Sequence, residues 1–337
     1  MQMSEEYDVY GAGAALVDRE VNVTDDDLKK MGLEKSLMTL IDREKEKEII
    51  DYFQEKLSNC KRTSGGSTGN SIIGIAQFGG KTFYSCRVAN DENGEFYLDD
   101  LRRAGVHYHF EKKSSDDRTG TCLVLISPDA ERTLCTYFGI NDSLSEDDIQ
   151  LEIILRSKYV YFESYMFMSP NSSAAAFRLS NLAKEKKIKI ALSFSDPGVV
   201  KTYRDNLLKI LIDGIDLLFC NLSEAFSWAQ TDHLETAVDS LKKISRAFAI
   251  TLGANGALVY DGKQLHTIPP YRVDSIDTSG AGDMFAGAFL YATTQGIDFE
   301  RAGRLANYAA AILVSKHGPR LTRDEQQQIL SQWNDSS

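Results

Sequence analysis

The sequence predicts an α/β fold of three layers, α/β/α, with a mostly parallel central sheet and a second, small β-sheet. Beyond residue 149, short and almost uninterrupted apolar stretches alternate with amphipathic stretches of helical length. The apolar stretches cover residues 159–162, 188–194, 217–220 and 247–252. Strands of this kind are typical of a parallel sheet that helices cover on both faces. Residues 106–138, in contrast, contain short β-type stretches separated by turns, which predicts the second sheet.

Local patterns define the remaining elements. A strand at 7–10 ends in the turn Gly11-Ala12-Gly13, and Ile49, Ile50, Phe53 and Leu57 recur at helical spacing among charged residues. Helices are predicted at 43–57, 67–77, 170–186, 200–212, 222–229, 281–295 and 300–315, a hairpin at 256–266, and β stretches at 106–110, 119–126 and 132–138. We interpret residues 1–337 as one domain, with a β lid formed by insertions at about 16–45 and 106–140.

Composition excludes several classes of function. The net charge of −11 argues against a general nucleic-acid or anionic-membrane surface. No apolar run approaches the ~20 residues of a membrane span, and the N-terminus lacks the layout of a signal peptide. The five cysteines contain no C-x-x-C pair and do not cluster with the five histidines, so neither zinc nor disulfides are expected. We therefore predict a cytoplasmic protein with reduced thiols, either a monomer or a homodimer.

The stretch Asp277-Thr278-Ser279-Gly280-Ala281-Gly282-Asp283 precedes a predicted helix. The turn Gly280-Ala281-Gly282 places bare N–H groups at the positive end of that helix, which is an arrangement that binds anions. A carboxylate repels a bound phosphate, so its presence in such a site indicates a chemical role. Asp283 could take the proton from a hydroxyl that attacks phosphorus. An Asp that merely caps a helix after a Gly-rich loop is the alternative.

The same stretch resembles the second signature of the ribokinase/PfkB family of sugar and nucleoside kinases. Further counterparts of family motifs follow in the expected order: Gly65-Gly66-Ser67-Thr68-Gly69-Asn70, Asn90-Asp91-Glu92-Asn93-Gly94, Asn221-Leu222-Ser223-Glu224 and Thr251-Leu252-Gly253-Ala254-Asn255-Gly256. The resemblance extends from about residue 8 to residue 320. It implies a ribokinase-like fold and an ATP-dependent kinase.

The resemblance also implies roles on the donor side of the site. Asp283 would be the general base, and the amides of Gly280, Ala281 and Gly282 would form an anion hole. Asn221 would contact a phosphate oxygen, and Glu224 would hold Mg²⁺ through water, although the two residues also match a helix capping box. Contacts to the nucleotide are expected from Thr251, Gly253, Gly256 and Asn307, the last near adenine unless it is a polar residue facing solvent. A monovalent cation such as K⁺ is a further candidate cofactor.

On the acceptor side, the family resemblance assigns sugar hydroxyls to Asp18 and to the motif containing Gly65, Gly66 and Asn70. Arg132 on the predicted lid would approach the transferring phosphate, or else would be a solvent-facing strand residue. Four apolar residues could line an acceptor pocket or form the lid's own core: Leu16, Met38, Cys122 and Leu134.

Within the family, the chain is most similar to adenosine kinases and their bacterial relatives, for example at Thr119-Gly120-Thr121-Cys122. It departs from them at Ala14, where adenosine kinases commonly have Asn. We therefore expect phosphoryl transfer from ATP to the hydroxymethyl group of an adenosine-like nucleoside. Two alternatives remain: a kinase for a ribose-like or keto sugar, and a non-catalytic nucleotide-binding protein, against which the intact Asp283 argues.

Overall fold

The computed structural model describes residues 6–58, 60–111, 117–129 and 131–335, so residues 112–116 and 130 of the predicted lid lie outside the described residues. A nine-stranded central sheet has the order β14-β13-β12-β11-β10-β9-β1-β5-β6. Its strands are β1 (Tyr7–Ala12), β5 (Thr82–Ser85), β6 (His107–Tyr108), β9 (Ser157–Glu163), β10 (Lys189–Ser193), β11 (Leu217–Asn221), β12 (Phe248–Thr251), β13 (Ala257–Tyr260) and β14 (Leu265–Ile268). The pairs from β6 to β12 are parallel, whereas β13 and β14 run antiparallel to their neighbours.

Helices cover both faces of this sheet, so the predicted three-layer α/β/α fold is confirmed. One layer contains α4 (Ser67–Phe78), α5 (Glu92–Ala104), α12 (Ala281–Thr294), α13 (Phe299–Val314) and α14 (Arg323–Asp335). The other contains α6 (Leu151–Ile154), α7 (Pro170–Lys186), α8 (Pro197–Thr202), α9 (Arg204–Leu211), α10 (Leu222–Ala229) and α11 (Leu234–Leu241). Among the described residues, none of the helices is both long enough and apolar enough to cross a membrane.

The second sheet, called the small sheet below, has the order β3-β8-β7-β2-β4. Its strands are β2 (Leu16–Asn22), β3 (Met38–Leu40), β4 (Arg62–Gly65), β7 (Gly120–Ile126) and β8 (Arg132–Tyr137). Three helices pack on its outer face: α1 (Asp25–Lys30), α2 (Arg43–Tyr52) and α3 (Gln54–Ser58). Since side chains alternate along a strand, the residues on the inner face stay available for a cavity.

In the region predicted to form the lid, the structure corrects one strand assignment and adds one strand. His107–Tyr108 pairs with β5 at the edge of the central sheet and not with the small sheet. Arg62–Gly65, for which no strand was predicted, pairs antiparallel with β2 in the small sheet. Both segments are short, and the choice of hydrogen-bonding partner depends on tertiary packing rather than on local pattern.

Two predicted helices are each divided in the structure. Residues 43–57 form α2 and α3, and Phe53, the residue between them, is buried. Residues 200–212 correspond to α8 and α9, with Tyr203 between them. The helical spacing was read correctly in both cases, but periodicity alone does not show a break of one residue.

Candidate active site

A cavity of about 530 Å³ lies between the inner face of the small sheet and the carboxyl ends of the central strands β9 to β12. This is the edge of an open α/β sheet where ligands commonly bind. Most of the predicted site residues line the cavity: Asp18, Gly66, Asn70, Arg132, Asn221, Glu224, Thr251, Gly253, Gly280, Ala281, Gly282 and Asp283. Segments from nearly the whole length of the chain therefore meet at one place.

Three predicted site residues do not line this cavity. The carbonyl of Gly65 accepts a hydrogen bond of 3.0 Å from the Tyr97 hydroxyl, and a Cβ on Gly65 would lie 2.3 Å from an oxygen of Asp18. Gly256 has φ +88°, and its Cβ would lie 2.1 Å from the carbonyl oxygen of Ile268, so its role in the structure is to permit the turn into β13.

The third is Asn307, which is buried and donates a hydrogen bond of 2.8 Å from its side-chain amide to the carbonyl of Pro269. The alternative of a solvent-facing residue is thus wrong for Asn307. Its contact ties α13 to the segment that follows β14.

Asp283 lies in the first turn of α12, after Gly280, which adopts the left-handed conformation at φ +71°. The Asp283 Oδ1 accepts a hydrogen bond of 2.5 Å from the Ser67 hydroxyl, and Oδ2 accepts one of 2.9 Å from the Asn70 amide. Burial raises the pKa of Asp283 above its ordinary value, although both hydrogen bonds oppose that rise. The site around Asp283 is therefore more enclosed than the Gly-rich motif alone indicates.

The turn before α12 is held from outside by Asp277. One Asp277 oxygen accepts from the N–H of Ser279 and the other from the N–H of Gly318, both at 2.8 Å. Burial by itself would raise the pKa of Asp277, but these two amides, together with the guanidinium of Arg132, lower it below the ordinary value. Asp277 therefore fixes the turn as an ionised group.

The amides of the turn are not equivalent. The N–H of Ala281 is already used within the turn, because it donates to the carbonyl of Thr278 at 3.3 Å. At Gly282 the turn is open to the cavity, since a Cβ added there would have no neighbouring atom within 4 Å. The N–H groups of a first helical turn have no intrahelical acceptor, so the Gly282 end of the turn opens onto the cavity with donors available.

Arg132 connects the small sheet to this turn. From β8 its guanidinium forms an ion pair of 2.8 Å with Asp277, donates to the Ser279 hydroxyl, and contacts Glu20 at 3.2 Å. The alternative of a solvent-facing strand residue is therefore wrong. A charged contact of this kind links the small sheet and the central body across the cavity.

Asn221 and Glu224 form the capping box that the sequence analysis left as the alternative. The N–H of Glu224 donates to Oδ1 of Asn221 at 2.9 Å, and the N–H of Asn221 donates back to the Glu224 carboxylate at 3.0 Å. Burial raises the pKa of Glu224 to about 7, the Asn221 N–H opposes the rise, and the charges of Asp196 and Asp283 add to it. The pair thus caps α10 and at the same time lines the cavity.

The small sheet contributes an acidic and an apolar part to the cavity. Asp18 faces the cavity from β2, and burial raises its pKa to about 7, with Arg320 opposing the rise. All four apolar residues that were candidates for an acceptor pocket line the cavity: Leu16, Met38, Cys122 and Leu134. Val124 and Phe138 line it as well.

Sequence reasoning missed Glu163 at the end of β9. It is 1% exposed, lines the cavity, and accepts hydrogen bonds from the N–H groups of Thr68 at 2.6 Å and Ala14 at 3.4 Å. Burial raises its pKa to about 7, although the Thr68 amide opposes the rise. A signal existed, because an acidic residue directly after an apolar strand lies at the ligand edge of a parallel sheet.

Comparison with known proteins is consistent with this geometry. The model of the pfkB family of carbohydrate kinases matches residues 36–326. An adenosine kinase from Saccharomyces cerevisiae is 28% identical over 327 residues, covering 91% of this chain and 94% of that protein.

Two solved structures show the same fold over almost the full length. A probable sugar kinase from Rhizobium etli has a TM-score of 0.88 and 31% identity, covering 97% of this chain and 99% of that chain. An adenosine kinase from Sinorhizobium meliloti has a TM-score of 0.88 and 29% identity, covering 96% and 99%. The chain therefore belongs to the pfkB family and is a phosphotransferase, a sugar or nucleoside kinase for which the family implies ATP as the phosphoryl donor.

Proposed function

We propose that the protein transfers the γ-phosphoryl group of ATP to the hydroxymethyl group of an adenosine-like nucleoside. The observation that carries this proposal is the position of Asp283. Its carboxylate lies beside the first-turn amides of α12, which suit a phosphate, and is held by Ser67 and Asn70, which belong to the predicted acceptor motif. A base between an anion hole and an acceptor site has the placement that phosphoryl transfer requires.

In the proposed reaction the acceptor oxygen forms a bond to the γ-phosphorus while the bond from phosphorus to the ADP oxygen breaks. The proton of the acceptor hydroxyl passes to Asp283. The amides of the turn Gly280-Ala281-Gly282 donate to the equatorial oxygens, where negative charge is spread in a loose transition state, and the Ala281 N–H exchanges its long bond to the Thr278 carbonyl for this one. Because Asp277 and Gly318 fix the turn from outside, these donors need little reorganisation during the reaction.

On the donor side we assign Asn221, Thr251 and Gly253 to the phosphates. Asn221 and Thr251 end the neighbouring strands β11 and β12, Gly253 follows β12 by two residues, and all three line the cavity. The described residues contain no group of three or more His, Cys, Asp or Glu side chains that could hold a metal ion directly. Glu224 fits a hydrated Mg²⁺, an ion that usually keeps several waters and binds one or two carboxylates together with the phosphates. When bound, Mg²⁺ would neutralise charge on the phosphates; a requirement for K⁺ stays a prediction.

The apolar part of the cavity supports a nucleoside in preference to a bare sugar. A purine presents a large flat apolar surface, and the residues of the small sheet that line the cavity include Leu16, Met38 and Leu134. Asp18 and Asn70 supply hydrogen-bond acceptors for the ribose hydroxyls. Closing the small sheet over this pocket as a lid would exclude water, which otherwise competes for the phosphoryl group.

A kinase for a ribose-like or keto sugar is the second candidate, favoured by the similarity to a probable sugar kinase. The two candidates are separated by initial rates of ADP formation with adenosine, inosine, ribose and fructose, in the wild type and in Asp283→Asn. We expect adenosine or inosine to give the highest kcat/KM. A preference for a sugar would replace the nucleoside assignment, and the absence of acceptor-dependent turnover with every compound would contradict both.

A further inference from the structure

We propose that Asn141 is a positioning residue that fixes the connection between the small sheet and the central body, and so sets where Asp18 lies relative to Asp283. The inference rests on the proposed function, because Asp18 is assigned to the acceptor and Asp283 to the base. Asn141 does not line the cavity and touches neither proposed substrate site. Its effect would be exerted through the backbone groups that its side chain contacts, chiefly those of Ala15.

The side chain of Asn141 binds both polar groups of one peptide residue. Asn141 lies in the 3-10 turn Gly139–Ser143 directly after β8 and is 5% exposed. Its Oδ1 accepts from the N–H of Ala15 at 2.8 Å, and its Nδ2 donates to the carbonyl of Ala15 at 2.9 Å. Nδ2 also donates to the carbonyl of Phe138 at 2.8 Å. The side-chain amide thus pairs with the backbone at residue 15 as a neighbouring strand would.

Ala15 belongs to a short link that is held almost entirely by side chains. The residue before it, Ala14, donates its N–H to Glu163 at 3.4 Å and accepts from the Tyr84 hydroxyl at 2.9 Å. Both partners of Ala14 belong to strands of the central sheet, β9 and β5. Residues 14–15 therefore have their backbone directions fixed just before the chain enters β2.

Asn141 also contacts two other points where the chain passes between the body and the small sheet. Gly120 begins β7, and a Cβ at that position would lie 2.4 Å from Nδ2 of Asn141. Phe138 follows β8 and accepts from the same nitrogen. One buried amide thus binds the chain just before β2 and just after β8 and lies close against the start of β7, where only a glycine fits. These are the places where the chain passes between the central body and the small sheet.

The distance along β2 from Ala15 to Asp18 is long enough for a small change at Ala15 to displace the Asp18 carboxylate. Asp18 lies three residues beyond Ala15, or about 10 Å along an extended strand. A rotation of about 6° at Ala15 would move the Asp18 carboxylate by roughly 1 Å, and a misplacement of this size can cost about 10²-fold in rate. The donor-side residues Asn221 and Thr251 lie on the central sheet and would not move with it.

The test compares Asn141→Ala with Asn141→Asp, which keeps the side-chain size and the acceptor to Ala15 but loses both donated hydrogen bonds. Ser169→Ala is the matched control, because Ser169 is buried and donates to the carbonyl of Asp142 in the same turn at 2.9 Å without contacting the small sheet. For all variants we measure KM for the acceptor, KM for ATP and the rate of ATP hydrolysis without acceptor. In that hydrolysis water takes the phosphoryl group, and ADP and phosphate form.

For both Asn141 variants we expect KM for the acceptor to rise about tenfold or more, KM for ATP to stay within about twofold, and the ratio of hydrolysis to transfer to increase. Ser169→Ala should keep all three values. Unchanged acceptor KM and an unchanged ratio in both Asn141 variants, with only a lower kcat, would show a purely structural role and overturn the proposal.

A second measurement does not depend on activity. Amide hydrogen exchange should become faster in residues 16–22 and 120–126 of the Asn141 variants, with no change in residues 157–163 of β9. Exchange rates in the small sheet that are the same in the Asn141 variants and the wild type would overturn the proposal. If the wild type phosphorylates none of the acceptors, the proposed function fails, and the exchange experiment still decides whether Asn141 holds the small sheet in place.

Discussion

The side-chain amide of Asn70 donates a hydrogen bond of 2.9 Å to Oδ2 of Asp283, although 213 positions separate the two residues. This bond joins the first Gly-rich motif to the last one and leaves Oδ1 of Asn70 buried and, among the described residues, without a hydrogen-bond partner. Buried acceptors usually have donors. A hydroxyl of a bound acceptor molecule, placed between Asn70 and the proposed base, would satisfy it.

Asp283→Asn should lower kcat by about 10²–10⁴-fold while ATP still binds, because an amide cannot take the acceptor proton. The fold should be kept, since Ser67 can still donate to the amide oxygen. Steady-state rates and ATP titration by calorimetry measure the two effects. Asp232→Asn, at a side chain that is 89% exposed, is the control; a near wild-type kcat for Asp283→Asn would rule out the base assignment.

The two glycines of the turn Gly280-Ala281-Gly282 should differ in role, Gly280 being needed for the fold and Gly282 for phosphoryl transfer. At Gly280, a Cβ would lie 2.1 Å from the carbonyl oxygen of Pro319 and φ is +71°, so Gly280→Ala should destabilise the fold by about 1–2 kcal/mol or more. At Gly282 the space for a Cβ is open, so Gly282→Ala should keep the melting temperature but raise KM for ATP or lower kcat. Thermal unfolding and kinetics on both variants check this. Normal kinetics for Gly282→Ala would mean that phosphate does not approach this turn.

Glu224→Gln is expected to raise the Mg²⁺ concentration needed for half-maximal rate, because the carboxylate would act on the ion through water. The glutamine can still accept from the Asn221 N–H, so α10 should keep its cap. A Mg²⁺ titration of initial rates measures the midpoint, with Glu235→Gln, at the exposed start of α11, as the control. An unshifted midpoint would leave Glu224 as a capping residue only.

The ligand-free protein should become less stable as the pH rises from about 5 to about 8. Burial raises the pKa of Asp18, Glu163 and Glu224 to about 7 in the folded state, whereas carboxyl groups of the unfolded chain titrate near 4. The folded protein then binds more protons than the unfolded chain between these values, so stability falls as pH increases through that window. Melting temperatures across the range test this. Glu163→Gln should flatten the dependence, and the exposed Glu235→Gln should not; identical slopes in the wild type and Glu163→Gln would contradict the assignment to Glu163.

Binding of the acceptor should slow amide hydrogen exchange in β7 and β8, residues 120–126 and 132–137, because these strands form the inner wall of the cavity. ATP alone should protect mainly the donor side. Amide hydrogen exchange is compared between the free protein and the protein with ATP, with adenosine or with ribose. Protection of β7 and β8 by ATP alone would contradict a lid over the acceptor, and protection by ribose but not adenosine would favour the sugar alternative.

Local sequence patterns were enough to predict the fold class and to single out Asp283 as the candidate base. Helix α10 was predicted at its observed bounds, and α4 and α12 each within a residue, because periodicity, caps and glycine turns act over a few neighbouring residues. The glycine turn Gly280-Ala281-Gly282 before Asp283 was recognisable for the same reason. Strand alternation, which is also a local rule, made the apolar residues of the small sheet candidates for a pocket or for the lid's own core, and the structure places them at the cavity.

Tertiary structure alone decided which distant groups meet. The ion pair of Arg132 with Asp277, the two amides bound by Glu163, and the pairing of β4 with the small sheet join segments that no local pattern relates. The raised pKa values near 7 also arise there, because desolvation depends on what encloses a carboxyl group and not on its neighbours in the chain. Which residues distant in sequence contact each other follows from the packing of the whole fold around the cavity, so these contacts can be identified only in the folded chain.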